Sequence, residues 1–216
     1  MYRTVIFDLD GTLLDTIGDL AAAANAVCRE NGWPEYTVQA VEGMVGHGIP
    51  NLVSRFSPAE AQVPQTLERT LAQFNRYYGA HNMELTAPYA GMPELLKKLK
   101  SAGVRLAVCS NKADEFSRVI VEHYFPGIFR LVRGNIPGTP VKPDPGVAKG
   151  IMERLGAEPG ETLMVGDSDV DIHTGHNAGL RACGVTWGFR SRENLVDAGA
   201  DVLADTTAEL KAVILG

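Results

Sequence analysis

Positive charge is in short supply: 20 lysines and arginines face 26 aspartates and glutamates, a net charge of -6. Nucleic acid and anionic membrane surfaces select a basic footprint that displaces counterions, so neither is expected as a partner. No run approaches the roughly 18 consecutive apolar residues of a spanning helix. Arg3 is followed too soon by Asp8 and Asp10 for the apolar region of a signal peptide, and a cytoplasmic location is the expectation. Cysteine is sparse as well. Cys28, Cys109 and Cys183 are odd in number and far apart, which suits reduced core thiols and argues against a disulfide framework or zinc site. Aromatic residues make up only 7%, and repeats and low-complexity tracts are lacking. What remains is an ordinary globular composition, 45% hydrophobic and 21% charged over 216 residues, long enough for a core domain that carries a smaller one.

Short β-branched and apolar runs alternate with amphipathic stretches. TVIF (residues 4 to 7) and VRLAVC (104 to 109) read as buried strands. Between them, PELLKKLKSAG places Pro93 in a first helical turn, Leu95, Leu96 and Leu99 on one stripe, and Gly103 at the stop. The alternation continues with a helix at 146 to 155, a strand at 162 to 165, a helix after Asp169, a strand at 181 to 185, a strand at 201 to 205 and a last helix at 207 to 215. Such a pattern predicts an α/β fold with a doubly wound parallel sheet. One block breaks it. Leu20, Ala24 and Val27 fall at helical spacing, and residues 38 to 78 look helical again. Residues 15 to 86 are therefore expected to leave the sheet as a helical cap inserted after the first strand, with residues 1 to 14 and 87 to 216 forming the Rossmann-like core.

Ligands of open parallel sheets bind beyond the carboxyl ends of the strands, so the residues there matter most. The first strand runs into Asp8, Asp10, Gly11 and Thr12; the second into Ser110, Asn111 and Lys112; the strand at 162 to 165 into Asp167, Asp169 and Asp171. Lys142 lies in a loop between them, flanked by prolines in VKPDP. Residues two apart on an extended chain project to the same side, roughly 6.6 Å apart. At an effective dielectric near 20, the Asp8 and Asp10 charges would repel by about 2.5 kcal/mol, close to two pKa units. Asp167 adds to the strain, and hard oxygen donors in small number call for Mg²⁺. A carboxylate so held can attack phosphorus, the role expected of Asp8, while Asp10 would protonate the leaving alkoxide and then activate water. Ser110, with backbone N–H groups near Gly11 and Asn111, would bind phosphoryl oxygens, and Lys142 would neutralise charge in the transition state.

In this order "DLDGT", "CSN", "VKPDP" and "GDSDVD" resemble the four motifs of the haloacid dehalogenase superfamily. The stretches "FDLDGTLLDTIGDLAAAANAV", "VGHGIPNLV" and "GMPELLKKLKSAG" are similar to its phosphoglycolate phosphatase group. The resemblance implies a Rossmann-like core with a helical cap and a Mg²⁺-dependent phosphatase working through an aspartyl phosphate. By position it makes Asp8 nucleophile and metal ligand, Asp10 a ligand through its carbonyl, and Asp167 the third ligand, with Gly11, Thr12, Ser110, Asn111 and Lys142 about the phosphate. Asp171 would support the metal or Lys142. His47, between two glycines in the cap, is the candidate for substrate contact. Trp33 and Trp187 read as packing residues.

Other chemistries are disfavoured by what is missing. A phosphonate hydrolase would want a cap lysine for a Schiff base, and residues 15 to 86 hold none. A sugar phosphomutase would carry a histidine where Leu20 stands, and a dehalogenase needs no acid like Asp10. A non-enzymatic phosphate-binding module would need neither a proton shuttle nor a lid. The expected activity is hydrolysis of a small phosphomonoester, phosphoglycolate first, with pyrophosphate, a nucleotide or a sugar phosphate as alternatives. The protein is expected to be a monomer or homodimer.

Overall fold

All four side chains of TVIF are buried in β1 (Thr4–Phe7), as a strand covered on both faces demands. The computed structural model describes residues 1 to 216. After β1 come the two-residue strand β2 (Leu14–Asp15) and four helices: α1 (Ile17–Asn31), α2 (Val38–Glu42), α3 (Ile49–Phe56) and α4 (Pro64–His81). A second two-residue strand, β3 (Ala87–Pro88), pairs with β2. The chain then alternates through α5 (Met92–Ser101), β4 (Arg105–Ala113), α6 (Asp114–Tyr124), β5 (Leu131–Asn135), α7 (Gly146–Leu155), β6 (Thr162–Gly166), α8 (Asp169–Asn177), β7 (Arg181–Val185), α9 (Arg192–Asp197), β8 (Val202–Ala204) and α10 (Thr207–Leu215).

The large sheet has six strands in the order β5-β4-β1-β6-β7-β8, and every pairing in it is parallel. This is the doubly wound α/β architecture. The chain builds outward from β1 through β4 to β5 and then crosses back to β6, so the order reverses between β1 and β6. That is the crevice where such sheets bind ligands. Ile6, Ala107, Cys109 and Met164 from three adjacent strands pack with Ile151 and Ile172 in one buried cluster. All three cysteines are free and buried.

Two compact units result, Met1–Leu14 with Pro88–Gly216 and, separately, Asp15–Ala87. Helices build the second unit. Leu20, Ala24 and Val27 are buried on α1, and Phe56, Phe74 and Tyr78 form an aromatic row in which Phe74 stacks on Tyr78 at 5.6 Å. Asp19, in the first turn of α1, accepts hydrogen bonds from the Leu85 and Thr86 N–H groups and the Thr86 hydroxyl at 2.7 to 2.9 Å. A negative charge at a helix N-terminus is favourable, and here it also fastens the segment that leads into β3.

The second core strand departs from expectation. It begins at Arg105 and runs on to Ala113, so Ser110, Asn111 and Lys112 lie within the strand, not beyond it. The reason is a bulge against β5: Cys109 pairs with Arg133, but Ala113 already pairs with Asn135. Extra residues on one strand bend it and re-aim side chains. β5 itself is a partly exposed edge strand of sequence LVRGN, with too little apolar alternation to announce a strand.

Candidate active site

Asp8 is the first residue beyond β1, and its N–H donates to the Val165 carbonyl at 2.8 Å, continuing the ladder to β6. Asp167 stands beyond β6, so these two carboxylates flank the crevice at the reversal of strand order. Lys142 reaches in from the loop between β5 and α7. Its Nζ lies 2.7 Å from Asp8 Oδ1 and 2.6 Å from Asp171 Oδ1. Ligand oxygens of Asp8, Asp167 and Asp171 lie within 4.8 Å of one another, all buried.

This cluster carries more negative than positive charge. Burial, and then Asp171, raise the Asp8 carboxyl well above its ordinary value despite the attraction of Lys142. Burial and Asp171 likewise push Asp167 up to about 7. Burial works against the Lys142 ammonium, yet Asp171 and Asp8 outweigh it and hold that group above its usual range. Three oxygen-bearing acids against one ammonium form a donor set that fits a hard divalent cation. Asp171 is the member least available to one. Its Oδ1 takes Lys142, and its Oδ2 accepts from the Ser168 N–H at 3.1 Å and the Ser168 hydroxyl at 2.7 Å.

Asp10 is placed apart from this cluster. Its Oδ1 accepts from Lys112 Nζ at 2.7 Å, so the two neighbouring acids are each met by a separate lysine. Gly11 has φ +83°, and a Cβ there would stand 2.3 Å from Asp167 Oδ2. Only glycine fits both the conformation and the space. The Gly11 N–H closes its own turn on the Leu14 carbonyl at 2.9 Å. The Thr12 hydroxyl donates to Asp167 Oδ1 at 3.0 Å, which makes it a support for that carboxylate.

Strand β4 supplies the other wall. The Ser110 hydroxyl accepts from the Lys112 N–H at 3.2 Å, which leaves its own hydrogen to donate. Asn111 clasps the backbone of Lys142, donating to its carbonyl at 3.2 Å and accepting from its N–H at 2.8 Å. It therefore sets the lysine's loop. Asp144 adds to that loop by accepting from the Gly146 N–H at 2.8 Å, where α7 begins. His47 belongs to the other unit, in the exposed bend between α2 and α3.

Residues beyond β7 are site members that the sequence left unmarked. The Phe189 N–H donates to Asp167 Oδ2 at 2.8 Å, and Trp187 Nε1 donates to the Thr12 carbonyl at 3.1 Å. Trp187 thus ties down the Asp8 to Thr12 loop and is more than packing. Between them, Gly188 leaves no room for a side chain: a Cβ would lie 2.3 Å from both Asp167 Cβ and the Gly11 carbonyl. The one available signal was position, since WGF follows a strand of the same sheet.

The model of the family described as haloacid dehalogenase-like hydrolase matches residues 5 to 185. A Vibrio vulnificus (strain CMCP6) protein named phosphoglycolate phosphatase is 35% identical, covering 99% of this chain and 96% of its own. A protein of the same name from Aquifex aeolicus (strain VF5) is also 35% identical, over 87% of this chain and 86% of its own. Among solved structures, one from Lactobacillus delbrueckii subsp. bulgaricus aligns with a TM-score of 0.94 at 34% identity, covering 100% of this chain and 99% of that one.

Proposed function

This chain belongs to the haloacid dehalogenase-like hydrolases, and on that premise we propose that it is a Mg²⁺-dependent phosphatase acting on a small phosphomonoester through an aspartyl phosphate. The observation that carries the reading is the Asp8 carboxylate, held 2.7 Å from Lys142 beside Asp167 at the strand-order reversal. Phosphoglycolate is the favoured substrate, because relatives 35% identical over most of the chain bear that activity in their names.

Asp8 and Asp167 through their carboxylates, and Asp10 through its carbonyl, would hold Mg²⁺. The bound ion would screen the repulsion between a carboxylate nucleophile and phosphate oxygens. An Asp8 oxygen attacks phosphorus, the bond to the ester oxygen breaks, and that oxygen takes a proton from Asp10. Asp10 then accepts a proton from the water that attacks the phosphorus of the aspartyl phosphate, releasing phosphate and restoring Asp8. The Ser110 hydroxyl and Lys142 ammonium bind phosphoryl oxygens as charge builds on them. By the resemblance, the helical unit Asp15–Ala87 would serve as a cap that excludes water, and His47 is the candidate for contact with the leaving group.

A panel of phosphomonoesters, assayed with Mg²⁺ and with EDTA, tests this reading. Phosphate release from phosphoglycolate should be Mg²⁺-dependent and faster than from nucleotide, sugar phosphate and pyrophosphate. His47→Ala should change the ranking of substrates more than the rate on a small artificial ester. No release from any ester in Mg²⁺ would defeat the proposal, and a uniform effect of His47→Ala would remove its specificity role.

A further inference from the structure

The Asp10 carboxylate does not stand alone at the edge of the site. The Lys112 ammonium lies 2.7 Å from Asp10 Oδ1 and its side chain is 2% exposed, against 14% for Asp10. A buried ammonium must be paired to persist, and Lys112 reaches its partner by an unusual route. In a regular strand alternate side chains face opposite ways, which would send Asn111 away from any site that Ser110 and Lys112 share. The bulge between Cys109 and Ala113 breaks that rule. It lets Asn111 clasp the Lys142 backbone while Lys112 reaches across to the loop after β1.

The same segment is fixed from several sides. The Lys112 N–H donates to the Ser110 hydroxyl, and the Lys112 carbonyl accepts from the Ser117 hydroxyl at 3.3 Å. At Gly134 a Cβ would stand 2.5 Å from the Lys112 carbonyl oxygen, so β5 presses closely on the strand here. A long, flexible side chain is thus launched from a rigid base onto one carboxylate oxygen. Such an arrangement has the form of a device that aims a carboxylate.

We propose that Lys112 is a positioning residue that fixes the Asp10 carboxylate for proton transfer to the leaving oxygen and from the attacking water. The inference rests on the acid–base role proposed above for Asp10. It assigns to Lys112 no contact with substrate and no part in binding the phosphoryl group. Misplacing a reacting group by about an ångström costs on the order of 100-fold in rate, so the effect on turnover is large and the effect on substrate binding small.

A double-mutant cycle on the whole protein decides it, with kcat and KM for phosphoglycolate measured in wild type, Lys112→Met, Asp10→Asn and the double variant. Lys112→Met should lower kcat about 10- to 100-fold and leave KM within about threefold. Added to Asp10→Asn it should cost nothing further, as expected for residues acting as a unit. Lys112→Arg, which keeps the cation, should recover part of the rate, and it supplies the test if Lys112→Met does not fold. Losses that multiply in the double variant would overturn the inference, as would a raised KM with unchanged kcat or an Arg variant as slow as Met. If Asp10→Asn itself turns over like wild type, the acid–base role of Asp10 fails first.

Discussion

Asp8 and Asp10, two residues apart, illustrate how one reading of charge gives way to another. Their mutual repulsion alone would call for a cation, yet each carboxylate is met by its own lysine, Lys142 and Lys112. The need for a divalent ion moves instead to Asp8 and Asp167, where Asp171 adds a third acid to a site with one ammonium. Asp167 is also closely fitted by its surroundings, with Thr12, Phe189, Gly11 and Gly188 packed about it. Gly188→Ala should therefore displace it. Partners that orient a ligand typically control about 10- to 100-fold in metal affinity, and a loss of that size in the Mg²⁺ activation constant is expected. Titration of activity with Mg²⁺ checks this, and an unchanged constant would mean that the loop after β7 does not orient Asp167.

At the scale of elements, the ends of strands and the starts of helices do the placing. Ser168 precedes α8 and its hydroxyl and N–H both donate to Asp171, the acid that shares Lys142 with Asp8. Ser168→Ala should cost about 1 kcal/mol of stability, as loss of a helix-start side chain does, and should also lower activity by freeing Asp171. Denaturant melts and turnover measured together test it; lost stability with full activity would uncouple Asp171 from the site. The central strands were legible because TVIF and TLMV are continuous apolar runs buried on both faces. The acids beyond them were legible through their position at strand ends, their mutual repulsion and the order of the motifs that hold them. β5 was not, since an edge strand needs less apolar surface. The bulge in β4 was not either, because it depends on the register with β5 and nothing local to SNK encodes it. The pairing of Lys112 with Asp10 and the fit of Gly188 against Asp167 stayed hidden for the same reason: those partners lie 102 and 21 residues away in the chain.

For the whole molecule, the site sets stability against function. Burial raises Asp8 and lifts Asp167 to about 7, so both favour the protonated form when no metal is bound. The contribution of Asp167 to the stability of the metal-free protein is fully present below about pH 4, near the unfolded value, and is lost as pH rises through about 7, and Asp8 acts in the same direction. Mg²⁺ takes the ionised carboxylates, so its stabilising effect runs the other way. At about 100 times its dissociation constant it should raise the melting temperature by roughly 5 to 10 °C near pH 7.5, and by clearly less near pH 5. Melting curves in Mg²⁺ and in EDTA at both pH values provide the check; an equal gain at both would show that the ion does not bind these carboxylates. None of the helices is long and apolar enough to cross a membrane. The central claim, however, concerns one bond. Wild-type protein mixed with phosphoglycolate and Mg²⁺, quenched within a turnover and analysed by peptide mass spectrometry, should carry a phosphoryl group on Asp8. Asp8→Asn should carry none and release no phosphate. Phosphate release without that adduct, or ordinary turnover by Asp8→Asn, would contradict the account.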